Sequence, residues 1–171
     1  MKTWFLCKVK YLREDDKGLL KSVTEPYLVD AMSFTEAEAR IYEEMSKIVR
    51  GDFTVPNISK SNIVDIFHYE DADVWHKCKV SYVVVDDESG KEKRVNHFMI
   101  VTAKDVKEAY DRIHESLNNM LVTFRVPEVV ESPIVEVFPY ISDEEKEEEI
   151  PDNLKPVSEV EAETETEVEE N

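Results

Sequence analysis

The sequence predicts an α+β protein: a tandem duplication of a β-β-α-β unit around antiparallel sheet, followed by a disordered acidic C-terminal tail. Three observations predict it. The chain resembles itself at a spacing of 71 residues, each copy passes from period-2 apolar alternation to a helical stripe, and negative charge gathers at the end.

The repeat is legible block by block. Leu6-Cys7-Lys8-Val9-Lys10-Tyr11 returns as Lys77-Cys78-Lys79-Val80-Ser81-Tyr82, with Trp4 returning as Trp75. Phe53-Thr54-Val55-Pro56 returns as Phe124-Arg125-Val126-Pro127, and the run from Ser61 to Tyr69 returns from Ser132 to Tyr140. Between these blocks the offset becomes 72, as one extra turn residue in the second copy requires. The copies span about 3–69 and 74–140 and are expected to form a single domain, residues 1–140, sharing a core or a continuous sheet about a pseudo-two-fold axis.

The elements follow in order. Phe5, Cys7, Val9 and Tyr11 alternate as a half-buried strand does, and so do Cys78, Val80, Tyr82 and Val84. Asp15-Asp16-Lys17-Gly18 and Asp86-Asp87-Glu88-Ser89-Gly90 supply hairpin turns with glycine available for positive φ. Second strands end in Tyr27-Leu28-Val29 and Met99-Ile100-Val101. Ser33-x-x-Glu36 and Asp105-x-x-Glu108 then have capping-box spacing, which starts a helix by satisfying its orphan amides. The helical stripes are Phe34, Ala37, Ile41, Met45, Ile48 and Val106, Ala109, Ile113, Leu117, Met120. Pro56 and Pro127 cannot donate to a ladder, so the closing strands are expected to bend or lie at an edge, each broken in two.

Charge divides the chain. Residues 1–140 hold 19 Lys/Arg against 25 Asp/Glu, whereas residues 141–171 hold 2 against 14. A segment so acidic and so poor in apolar residues cannot bury enough surface to fold, which sets the tail at 141–171. No apolar run approaches the roughly 20 residues of a membrane span, and the N-terminal run is too short for a signal peptide. Two cysteines without a secretory signal fit free thiols in a reducing cytoplasm.

Catalytic chemistry finds no foothold. The three glycines, Gly18, Gly51 and Gly90, fit turns and a helix end, leaving no phosphate-cradling loop. There is no nucleophile elbow. Cys7 and Cys78 occupy equivalent positions on the apolar face and read as buried thiols. His68, Asp71, Asp73 and His76 carry metal-ligand chemistry, but their spacing matches no recognised site. No enzyme activity, metal or cofactor is expected.

Glu25-Pro26-Tyr27-Leu28-Val29-Asp30-Ala31, Ser33-Phe34-Thr35-Glu36-Ala37-Glu38-Ala39 and the closing Phe138-Pro139-Tyr140 resemble a family described only as a domain of unknown function, found in gut anaerobes and their phages. The resemblance covers about residues 2–140. It implies a phage or mobile-element context and assigns no catalytic residue.

Function then rests on the strand face opposite the core alternation. It carries Trp4, Leu6, Lys8 and Lys10 in one copy and Trp75, Lys77, Lys79 and Ser81 in the other. Rings and ammonium groups on one side of a sheet suit single-stranded DNA, whose bases stack and whose phosphates pair with lysine. The expected nucleic-acid contacts are Trp4, Lys8, Lys10, Trp75, Lys77 and Lys79, with the tail competing for the strip and recruiting protein partners. Indoles at strand starts also seal core edges, and strand lysines also block edge pairing. The competing expectation is therefore a protein-binding adaptor or inhibitor whose acidic surface mimics nucleic acid and whose tail keeps it soluble.

Overall fold

The structure is a computed structural model that describes residues 3–140; the acidic segment expected to be disordered lies outside the described residues. The first half runs β1 (Thr3–Glu14), β2 (Leu20–Ala31), α1 (Phe34–Ile48), β3 (Phe53–Lys60) and β4 (Ile63–Phe67). The second runs β5 (Trp75–Val85), β6 (Glu92–Thr102), α2 (Val106–Ser116), β7 (Phe124–Glu131) and β8 (Glu136–Phe138). The element order is the same in both halves, with the closing strand split in two.

Local chemistry explains the matching pieces. In the first hairpin the Asp15 carboxylate accepts from the amides of Lys17 and Leu19. In the second, Asp86 accepts from the Glu88 amide and the Ser89 hydroxyl. The Asp15 amide reaches the Leu19 carbonyl, while Asp86 must reach Lys91, so the extra residue sits in this loop. Gly18 and Gly90 take φ of 77° and 66°, a left-handed conformation that side chains disfavour. Ser33 and Asp105 cap the helices by accepting from the Glu36 and Glu108 amides at 3.1 and 2.8 Å. Those glutamates in turn accept from Met32 and Lys104.

Two details depart from the sequence pattern. α2 ends at Ser116, a turn earlier than Leu117 and Met120 in its stripe imply. One fewer residue separates its start from β7 than separates α1 from β3, so the chain must turn sooner. Phe34, Val106 and Ile48 are exposed; the buried stripe is Ala37, Ile41 and Met45 in α1 and Ala109 and Ile113 in α2.

The sheets are two, not one continuous sheet. One is ordered β3-β1-β2-β8 and the other β4-β6-β5-β7. Each half therefore sends its last strand to the other's sheet, where β4 runs parallel to β6 and β8 parallel to β2. For β4 the reason is reach. Only Ser61 and Asn62 separate it from β3, and such a link spans about 10 Å at most. The free edge beside β2 lies three strand spacings from β3, about 14 Å. Stepping across to the facing sheet is the shorter path. Pro56 and Pro127 lie on the edge strands β3 and β7, each where the ladder to its neighbour slips register.

Three apolar clusters result. Phe5, Cys7, Val9 and Val29 pack beneath α1, while Cys78, Val80, Met99 and Val101 pack beneath α2. The third lies on the opposite faces, where Leu28, Ile63, Trp75 and Ile100 meet with Trp4, Leu6, Ile66 and Val137 packed around them. The seam between sheets is thus a core in its own right.

A helix arginine secures each donated strand. Arg40 donates to the Asp30 carbonyl and, at 2.9 Å, to the carbonyl of Pro139 just beyond β8. Arg112, 72 residues on, donates to the Thr102 carbonyl at 2.8 Å and to Asp71, just beyond β4.

Candidate functional site

The face expected to meet solvent is the seam. Trp75 is only 4% exposed and belongs to the seam's buried cluster, and Trp4 is half-buried against it. The indoles are not presented to solvent as the strand pattern implies, because the second sheet covers them. The parity assignment itself holds: both rings lie on the side away from the helices.

Two clefts open along the seam, and they separate the six residues. The larger, about 800 Å³, is lined by Lys8 from β1, Lys60 from the end of β3 and Lys77 from β5. Leu6, Pro26, Ile63, Pro133 and Ile134 give it an apolar lining, with Ser61, Asn62 and Ser132 as neutral polar groups. No carboxylate lines it. Lys77 is held in place, donating to Asn62 Oδ1 at 3.2 Å with its Nζ 4.6 Å from the Phe98 ring centre. Lys8 and Lys60 are exposed. Three lysines and no carboxylate among the lining residues make this a cationic cleft on an acidic chain.

The smaller cleft, about 310 Å³, brings Trp4 and Trp75 together with Ile66, His68, Glu136, Val137 and Pro139. Lys10 and Lys79 line neither cleft. A third depression of about 490 Å³ holds Arg94 and Arg125 beside Tyr82, again without a carboxylate.

Sequence reasoning missed Lys60, Arg94 and Arg125. Lys60 ends the edge strand β3, where it pairs with Phe5 of β1, and belongs to neither lysine strip. The matching position in the second half holds Glu131, which hides it from any comparison of the halves.

The remaining candidates are dispersed. Cys7 and Cys78 are both buried and free, under different helices, so they do not meet. Burial pushes the Cys7 thiol up to about 12 and the Cys78 thiol to about 11. Asp71 is engaged by Arg112, whose hydrogen bond holds its carboxyl below the usual range despite opposing desolvation. His68 packs against Trp75 with ring centres 5.7 Å apart. His76 is buried on the helix side of β5, with its Nδ1 unpartnered among the described residues. No group of three or more His, Cys, Asp or Glu positioned to hold a metal occurs among the described residues. No helix among them is long and apolar enough to cross a membrane.

The chain belongs to the family described as Domain of unknown function (DUF4494), whose model matches residues 3–140. No curated protein and no solved structure matched it.

Proposed function

We propose, for a family whose description assigns no activity, that this member is a non-enzymatic single-stranded DNA-binding protein whose larger seam cleft holds the phosphate backbone. Lys8, Lys60 and Lys77 are the contacts. The observation that carries the reading is that three lysines and no carboxylate are among the residues lining this cleft, in a protein of net charge −18. Apolar lining beside them offers contact area to sugars and bases. Arg94 and Arg125 extend the cationic surface for a longer strand.

The reading revises the role of the indoles. A stacking platform must present ring faces to the strand, and Trp75 is covered. Affinity then comes mainly from phosphates, which favours weak sequence preference and strong salt dependence. The acidic segment 141–171 competes with DNA for the cleft and recruits protein partners. The reading also takes the two halves as products of a duplicated β-β-α-β-β unit, and places the protein in the cytoplasm of a phage- or mobile-element-bearing cell.

Titrating oligo(dT) into the full chain and into a chain lacking 141–171 tests this. Affinity falls with salt and is higher without the acidic segment. Absence of binding to both eliminates the reading.

A second reading, a protein-binding adaptor, draws on the hairpin tips. Leu12, Leu19 and Leu20 on one and Val83, Val84 and Val85 on the other are exposed, an apolar surface of the kind protein partners cover.

A further inference from the structure

The two halves differ on the sheet face that leads out of the larger cleft. In the first half it is the side of β1 away from α1, where Lys8, which lines the cleft, is followed by Lys10, and both are exposed. Antiparallel pairing sets residues directly opposite one another on the same face. Lys8 therefore stands between Pro26 and Asn57, and Lys10 between Thr24 and Thr54. Asn57, Thr24 and Thr54 are exposed as well, so each lysine has an uncharged hydrogen-bonding side chain beside it. Neither lysine joins an ion pair among the described residues. Acidic residues come only past Lys10, with Glu14 at the end of β1 and Asp52 just before β3.

The second half breaks this surface. Lys79 stands where the first half has Lys8, but Glu128 is opposite it in place of Asn57. Ser81 replaces Lys10, with Arg125 opposite it in place of Thr54.

Building on the DNA reading, we infer that a short strand leaves the cleft along β1 in preference to β5, with one phosphate at Lys8 and Asn57 and another at Lys10, Thr24 and Thr54. The two lysines are two residues apart on one strand, about 7 Å, close to the separation of neighbouring phosphates in an extended nucleic acid. Lysine supplies charge while amide and hydroxyl groups donate to phosphate oxygens, contacts that position a backbone without reading its sequence. A carboxylate opposite the lysine does the reverse, so Glu128 disfavours a phosphate at Lys79. Arg94 and Arg125 are then engaged only by a strand long enough to pass Glu128. The two halves share an element order and divide the work.

Fluorescence anisotropy of the full chain with oligo(dT) of about six nucleotides tests this, since the roughly 20 Å from Leu6 to Leu12 matches that length at about 3.4 Å per stacked nucleotide. Lys10→Ala weakens binding several-fold and lowers the slope of log affinity against log salt by roughly 0.7, the share of one contact. Asn57→Glu, which writes the second half's residue into the first, weakens binding too. Lys79→Ala leaves it unchanged. Unfolding midpoints measured alongside separate a local effect from a lost fold. Equal losses from Lys79→Ala and Lys10→Ala, or full binding by Asn57→Glu, overturn the path and leave the DNA reading standing. No binding by the natural chain overturns both.

Discussion

Arg112 holds Asp71 by both carboxylate oxygens, one guanidinium nitrogen lying 2.8 and 2.7 Å from them. The same side chain donates to the Thr102 carbonyl, pairs with Glu108 and lies over the Tyr69 ring. Arg112 belongs to α2 and Asp71 to the loop after β4, so the contact ties the donated strand to the sheet that receives it. Arg112→Met leaves the buried Thr102 carbonyl without this donor and should cost about 1–3 kcal/mol. Urea unfolding should show it, and Arg112→Lys should fail to restore stability because an ammonium cannot reproduce the planar fork.

Acid should loosen the same contact. Asp71 has its folded value below the ordinary 3.8, chiefly through the Arg112 hydrogen bond. A carboxyl depressed on folding adds stability that is fully present above its unfolded value and disappears as pH falls through the folded one. Asp15 is shifted the same way chiefly by the Lys21 side chain and Asp86 chiefly by the Ser89 hydroxyl. Melting temperature should therefore be insensitive to these groups near neutrality and fall below about pH 4. Asp71→Asn should flatten the fall.

His76 stands where the first half has Phe5, and its Nδ1 is buried without a partner among the described residues. His76→Phe removes the unpaired nitrogen and restores the apolar residue of the equivalent position. It should stabilise the protein by about 1 kcal/mol, read as a rise in the urea midpoint at unchanged slope.

Trp75 and Lys60 should separate core from site. Trp75→Ala opens a cavity in the seam and should cost about 3–5 kcal/mol. Lys60→Ala should leave the melt unchanged while weakening oligo(dT).

Both thiols should be inert in the folded chain, since burial raises them to about 12 and about 11 and only thiolate reacts. A colorimetric thiol reagent should find two groups in denaturant and almost none without it.

Much of this fold was legible in the residues. Period-2 alternation located β1 and β5, the Asp-to-Gly loops located the turns, and Ser33 and Asp105 located the helix starts. Each of these signals is local. Strand exchange is not, because the alternation of Ile63–Phe67 says which way side chains point and nothing about which sheet accepts the strand. The burial of Trp75 was concealed by the lysines after it, which read as a solvent face; long lysine stems can lie along apolar surface while their ammonium groups stay wet. The counter-signal was Tyr27-Leu28-Val29 with Met99-Ile100-Val101. Continuous apolar runs mark strands covered on both faces, and their middle residues, Leu28 and Ile100, are buried in the seam. The candidate site was half legible: Lys8 and Lys77 stood in the strip, but Lys60, at the end of β3 opposite Phe5, lay outside it.

The salt dependence of oligo(dT) affinity, compared between the natural chain and a chain carrying Lys8→Ala, Lys60→Ala and Lys77→Ala together, examines the cleft most directly. Each phosphate contact on a single strand contributes roughly 0.7 to the slope of log affinity against log salt, so the triple substitution should lower it by about 2. An unchanged slope and affinity in the triple variant, or no binding by the natural chain at low salt, would contradict a phosphate site between the sheets.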